Sequence, residues 1–463
     1  MKLFSKTIGA VLAAALLFAG CAAGCAAPGA SSGAGMGAGA GADAGTGTNA
    51  GEGGLRSSAA GPWQSAAGAL RLVTSDENFF AQSPGTENGW YYVDRGASYN
   101  ANLRYIDYAT AQDIYLSSRP EADHHTAEDD SYIPSVLGMG EVFCVGDSLF
   151  LLRTGAPDSG DTFGADALPA IWRMELSGAN RTEIYLGGAA EMLTTAVAAD
   201  ERSLYVVVQR MEEENEAPEP SHILVQIDQQ TGNTQDLLCL PDNAALVGAW
   251  DDLLVFRTIA DEAPTDGNGL TYGPPEFRVT YYTYALAAGE WRELCQRPMG
   301  ERCCEHVWND VLVLGNNSTR TVTLLRLSDG SVSAEYPFPD AVTAEASDAY
   351  FLFHSCRDGR FLFWDYFAGA IHSVDLATGE WSAVTTLTYI DPDKQDPRPV
   401  QICAESAEEF LVCRDQVIVT RRYTYADDGT AYEIEAPQPE YALMRKADYW
   451  NGVPEYRPVT FVD

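Results

Sequence analysis

From Pro62 onward the chain is a succession of short apolar runs separated by polar turns. It has almost no stretch with the i, i+3, i+4 spacing of an amphipathic helix. A texture this regular is first a question of internal repeats. One hairpin recurs: an apolar run, a polar turn, then a second apolar run rich in β-branched and aromatic residues. The second runs open at Trp90, Leu149, Leu204, Leu253, Val311, Phe361 and Val417, so the starts are 59, 55, 49, 58, 50 and 56 residues apart. The turns ahead of them are Asn88-Gly89, Gly146-Asp147, Asp200-Glu201, Asp251-Asp252, Asn309-Asp310, Asp358-Gly359 and Arg414-Asp415. Most of these residues tolerate tight or left-handed backbone.

A second hairpin follows each first one. Its clearest copy runs from Ile371 to Trp381 through Asp375, Thr378 and Gly379. Related copies begin at Leu103, Ile171, Ile223, Tyr281, Leu324 and Ala442. Two hairpins per unit make four antiparallel strands, and residues 63–463 divide into seven such units. Radial repetition of four-stranded sheets protects sheet edges, so the pattern predicts an all-β, seven-bladed β-propeller rather than one of six or eight blades. Tandem β-sandwiches fit less well, because each needs about 100 residues. The strand–Asp–x–x–Thr–Gly–x–Trp hairpin resembles the repeats of secreted bacterial propellers of the TolB, YncE and quinoprotein-like kinds. The resemblance implies architecture more than activity, since the motif is a turn plus a packing pattern. A recurrent Trp motif in every unit, expected of the quinoprotein group, is missing, so no cofactor is expected.

The units differ between their second and third strands. Units 1, 5 and 6 are minimal, while units 2, 3, 4 and 7 carry extra residues at 154–170, 211–221, 258–277 and 423–440. In a propeller these connections share one rim, and insertions gathered on one face of a repeat protein often mark its binding face. The four segments hold 17 acidic residues and no Lys or Arg. Asp161, Glu213, Glu214, Asp266, Tyr272, Tyr425, Asp428 and Tyr432 are the candidate residues of an acidic, tyrosine-bearing rim. Such a surface suits an extracellular protein, a cation or a carbohydrate.

Charge sharpens that picture. With 29 Lys and Arg against 66 Asp and Glu, the chain carries a formal net charge of −37. It would repel nucleic acid and anionic lipid, so neither is an expected partner. Lysine occurs only at Lys2, Lys6, Lys394 and Lys446, which leaves lysine chemistry few places.

The amino terminus has the form of an address. Lys2 and Lys6 precede an apolar run of about a dozen residues, too short for a spanning helix of about 20 and right for a secretory signal. The run ends Leu17-Phe18-Ala19-Gly20-Cys21, which resembles the lipobox of bacterial lipoproteins. That resemblance implies cleavage after residue 20, lipidation of Cys21, and a chain anchored on the extracytoplasmic face of the cell membrane. Residues 21–62 are rich in Gly and Ala and read as a flexible linker. Their root-mean-square reach is about 35 Å.

Chemistry is sparse. There is no His-Glu-x-x-His, P-loop or zinc-spaced Cys pair. Asp391, Asp393 and Asp396 stand at calcium-like spacing without the full alternation of an EF-hand loop, and are weak metal candidates. His124-His125 lie in a carboxylate-rich segment, and Cys303-Cys304-Glu305-His306 is an unusual cluster in a first strand. His222 and His372 open third strands, where packing histidines are expected. No catalytic pair stands out among the carboxylates. The expected function is therefore a surface-anchored binding or scaffolding propeller and not an enzyme. A propeller enzyme acting on extracellular glycans and an envelope-assembly or signalling partner are the alternatives.

Overall fold

The computed structural model describes residues 70–74, 85–94, 101–133 (apart from 120, 122, 125 and 127), 139–155, 168–211, 220–262, 276–298, 303–342 (apart from 317), 354–393 (apart from 366–368), 395–424 and 431–462. The described chain is all-β, with one short α-helix, α1, at Lys446–Trp450. Four sheets each take four strands from one stretch of chain: 139–186, 303–337, 354–384 and 401–458. A five-stranded sheet holds the strands of 89–133 and the C-terminal strand Thr460–Val462. A nine-stranded sheet contains two more four-stranded sets, 191–240 and 245–298, joined by Leu70–Thr74. Thr388–Ile390 and Pro397–Pro399 form a separate hairpin.

The apolar runs become strands buried on both faces. Ser148–Arg153 and Val311–Asn316, both second strands, are buried throughout. Outer strands such as Val332–Pro337 alternate with solvent. Burial on both faces requires a neighbour on each side, and the apolar clusters supply it. Leu103 and Val93 pack with Leu149 and Leu151 of the next sheet, Phe150 with Val206 of the one after, and Tyr205 with Phe256. Val255 then packs with Leu312, Phe361 with Val313, and Leu362 with Val412. Finally Leu411 and Leu443 of the last sheet pack with Trp90 and Ile106 of the first. Each sheet is thus sandwiched between its neighbours and the series closes on itself. This is a propeller-like arrangement.

Closure is completed by the C-terminus. Arg457–Pro458 pairs with the last sheet, and Thr460–Val462 pairs in parallel with Gln112–Tyr115 of the first. The Arg457 guanidinium donates to the carbonyls of Tyr108 (2.7 Å) and Ala109 (3.1 Å) and pairs with Glu409 (2.8 Å).

Five of the seven turns read from sequence lie where expected between paired strands, and Asn88-Gly89 opens the strand Gly89–Asp94. Asp358 and Gly359 both have positive φ, 52° and 69°, the type I′ geometry that suits a twisted hairpin. The recurrent Asp is a turn brace: Asp228 Oδ1 accepts from the Gln230 and Thr231 amides and the Thr231 hydroxyl. Burial works against its charge, but these bonds and Arg202 outweigh it and hold its pKa near 2.

The seventh turn is a correction. Arg414-Asp415 is not a turn; the chain reverses at 406–408, and the buried second-strand run is Phe410–Cys413. A bulge between Cys413 and Asp415 carries the strand onward. Arg414 there pairs across the ladder with Glu440 at 2.9 Å, so a charge that read as part of a turn belongs to a cross-strand pair.

Candidate functional site

The two ends of the sheets are built differently. First strands pass to second strands through tight turns, while the long connections join second strands to third. Of the sequence-predicted rim, Asp161, Glu213, Glu214, Asp266, Tyr272, Tyr425 and Asp428 lie outside the described residues. Tyr432 is in the strand Ala431–Arg445, paired with Tyr423. Two connections are shorter than expected because backbone pairing continues into them. The ladder of the fourth unit extends to Glu262↔Glu276, leaving 263–275, and that of the seventh to Thr424↔Ala431, leaving 425–430. Alternating polar and apolar residues there satisfy a two-stranded ribbon as well as a loop.

The turn end carries the described cavities. One, about 500 Å³, lies between the first and last sheets and is lined by Glu87, Tyr108, Glu408, Glu409 and Arg457. It adjoins a second, about 440 Å³, lined by Glu87, Trp308, Cys356, Arg357, Asp358, Gly359, Glu405 and Lys446 among others. The wall of the second is largely pre-wired. Lys446 Nζ sits 3.1 Å from both Asp358 Oδ1 and Glu405 Oε2, and the Trp450 indole donates to Asp358 Oδ2 at 2.8 Å. The Asp358 amide donates to Glu405 Oε2 at 3.1 Å, and the Ala407 amide to Glu87 Oε2 at 3.0 Å. Burial disfavours the Lys446 charge, but the two carboxylates outweigh it and raise its pKa.

Arg357 differs from these neighbours. It is only 8% exposed, and Nη1 donates to the Cys356 carbonyl at 3.3 Å. Its Nε and Nη2 are buried with no hydrogen-bond partner. Beside it, burial pushes the Cys356 thiol up to about 12, so that sulfur is no nucleophile at neutral pH.

Further along the inner strands, His306 Nε2 and His354 Nδ1 are 2.8 Å apart. One ring must donate and the other accept, so the accepting imidazole is neutral. Burial lowers both pKa values; His354 and Arg357 lower that of His306 further, and Arg257 helps bring that of His354 to about 4. Glu305, 3% exposed, pairs with Arg257 and accepts from the Tyr281 hydroxyl at 2.9 Å. The Cys303–His306 segment is therefore an inner strand whose polar members bind the sheets on either side. Sequence reasoning flagged the cluster and missed Arg257, Tyr281, His354 and Arg357. The available signal was charge inside runs otherwise apolar.

The remaining candidates are placed plainly. Asp391 accepts from the Asp393 amide (2.9 Å) and from Arg398 Nε (3.2 Å), in the turn that also holds Asp396. Among the described residues no three His, Cys, Asp or Glu side chains are grouped to hold a metal ion. His124 is buried, lies 3.0 Å from Asp129 and stacks on Tyr115 at 4.1 Å, so it is a packed residue. His222 and His372 are buried in third strands, as expected.

No protein-family model matches the chain, and no curated protein does. Among solved structures it is similar to the acylaminoacyl peptidase of Pyrococcus horikoshii, at 11% identity over 80% of this chain and 52% of that one, with a TM-score of 0.40. It is similar to a puromycin hydrolase complexed with PGG, at 10% identity over 81% of this chain and 52% of that one, TM-score 0.45. It is also similar to a europium-containing methanol dehydrogenase, at 8% identity over 70% of this chain and 71% of that one, TM-score 0.33. The chain spans about half the length of the two hydrolases. These likenesses concern fold alone, and no residue of theirs is carried over.

Proposed function

We propose that the chain is a surface-anchored lipoprotein whose seven-bladed propeller binds an extracellular ligand or protein through the end bearing the long connections. Five of the blades are the four- and five-stranded sheets, and the two halves of the nine-stranded sheet are the other two. Cys21 carries the lipid, and residues 21–62 form the tether.

The observation that carries this reading is the position of Leu70–Thr74. Leu70 pairs with Asp251, beside a first-to-second-strand turn, and Thr74 pairs with Val197, further along the inner strand of the neighbouring set. The chain thus enters the described domain at the turn end. A lipid at Cys21 then tethers the domain from that end and leaves the acidic connections free to face away from the membrane. Repulsion between an acidic rim and anionic headgroups favours the same orientation.

The test uses the full chain displayed on a bacterial host. A protease site placed within 425–430 is cut on intact cells, one placed at Asn309-Asp310 is cut much more slowly, and Cys21→Ser releases the protein from the membrane fraction. Equal cutting at both sites overturns the orientation, and membrane retention of Cys21→Ser overturns the anchor. Binding is read with a lysine-rich peptide and a panel of polysaccharides. Loss of capture on shortening the four connections supports the rim, and unchanged capture removes it.

A further inference from the structure

Cys403 and Cys413 stand on neighbouring strands of the last sheet, Gln401–Glu405 and Glu409–Thr424, where Gln401 is paired with Cys413. A bulge falls between Ile402 and Ala404, so Cys403 is an extra residue in the ladder. The neighbours show which way each side chain points. Ile402 and Val412 pack with Leu362 and Trp364 of the preceding sheet, whereas Cys403, Ala404, Leu411 and Cys413 all pack with Trp90 and Ile106 of the first. Both thiols are therefore on one face. The Cys413 amide donates to the Cys403 sulfur, which places that sulfur over the backbone of Cys413. Cys413 Sγ is turned to the Asp415 carbonyl at 3.4 Å, one side-chain rotation away from it. Strands paired in a ladder lie about 4.8 Å apart, inside the Cα spacing of about 4.4–6.8 Å that a disulfide bridges.

Elsewhere the fold keeps its described thiols apart. Cys144, Cys239 and Cys295 lie in three different four-stranded sets. Cys304 and Cys356 border the same cluster, but His306 touches His354 between them. Cys304 precedes its histidine and Cys356 follows its own, so about four residue steps, roughly 13 Å of strand, separate the two. We propose that Cys403 and Cys413 form a disulfide across the bulge. The proposal rests on the exported reading only for its oxidising surroundings. One thiolate attacks a low-molecular-weight disulfide and releases a thiol, and the second thiolate displaces the other half from the mixed disulfide. The two cysteines thus lose two protons and two electrons, and the external disulfide becomes two thiols. The exchange belongs to folding, before the side chains are sealed. In the finished fold they are 3% and 4% exposed, and burial raises the pKa of each so that neither is a nucleophile at neutral pH. The bond closes residues 403–413 into a loop at the seam where the last sheet meets the first.

The experiment refolds the mature full chain, carrying Cys21→Ser, from urea in parallel with a mixture of reduced and oxidised glutathione and with a phosphine reductant. Free thiols are then alkylated in urea. The chain is cut after glutamate, which separates the two cysteines at Glu405, Glu408 and Glu409, and the fragments are weighed by mass spectrometry. The oxidised sample is expected to give the Cys403 and Cys413 fragments joined and two hydrogens lighter than their sum. Its midpoint of urea unfolding should lie about 0.5–1 M above that of the reduced sample. In Cys403→Ala, and equally in Cys413→Ala, oxidant should no longer move the midpoint. Recovery of both cysteines alkylated from the oxidised sample overturns the proposal, and so does a bond from either of them to a different cysteine. The oxidant is supplied in the tube, so this outcome does not depend on export, and the membrane-fraction test of Cys21→Ser fails or succeeds separately.

Discussion

Two buried arginines meet opposite fates in this molecule. Arg104, 5% exposed, lies in the seam where the C-terminal strand closes the first sheet. Its Nε and Nη2 reach the two oxygens of Asp113 at 3.1 and 2.9 Å, its Nη1 lies 3.4 Å from Asp94, and its guanidinium covers the Phe461 ring at 4.0 Å. Arg357 is buried to nearly the same degree, yet its corresponding edge has no partner. Their surroundings differ in the same sense. His124, near Arg104, has the Asp129 carboxylate, whereas His306, near Arg357, has only another histidine. A charge buried with its counterion fastens one element to another. A charge buried without one fastens nothing and carries its desolvation cost unrepaid.

The comparison breaks first at Arg104. Arg104→Met leaves Asp113 and Asp94 without their cation and strips the ring-covering contact from the C-terminal strand. Removing one partner of a buried pair costs about 3–5 kcal/mol, so urea unfolding should show a loss of that size. A loss below about 1 kcal/mol would show that the seam does not depend on the pair.

The histidine pair sharpens the other half. Both folded-state pKa values lie below the unfolded 6.5, with His354 at about 4. Between those values the unfolded chain holds protons that the folded pair refuses, so stability is full above about pH 6.5 and falls as pH drops toward 4. Each histidine contributes at most about 1.4 kcal/mol per pH unit in that window. Chemical unfolding at pH 7, 6 and 5 measures the slope. His306→Gln with His354→Gln should flatten it, leaving a residual slope from His222, whose pKa burial also lowers.

A purely steric contact ranks below these. Gly248 faces the neighbouring sheet so closely that an added Cβ would stand 2.0 Å from Val307 Cγ2. Gly248→Ala should therefore cost about 1–3 kcal/mol. Pairing it with Val307→Ala should recover part of the loss, and a double variant no better than the single one would argue against contact between the sheets there.

What was legible in the chain follows the same division. Hairpins announced themselves because their turns need particular backbone: Asn309, with φ of 52°, and the Asp358-Gly359 pair are local requirements written in residue type. Arg414-Asp415 misled because a bulge and a turn favour similar residues, and only the distant Glu440 distinguishes them. Leu70–Thr74 gave no sign of joining two sheets, since its partners Ala199 and Asp251 are well over 100 residues away. The acidic connections were visible as composition, but composition carries no geometry, and most of the rim candidates lie outside the described residues. Arg357 was invisible for a further reason: an arginine before a turn reads as solvated, and its burial is set by the sheets on either side.

The smallest expected effect is the one that decides what Arg357 is for. If its charge is not compensated within the fold, Arg357→Met removes a desolvated cation and replaces it with an apolar side chain that suits the same walls. Replacing buried charge by well-packed apolar residues is often neutral or stabilising. The variant should therefore unfold within about 1 kcal/mol of wild type, on the stable side if at all, while Arg104→Met loses several. If Arg357→Met is instead as damaging as Arg104→Met, both arginines are structural and the contrast between them disappears.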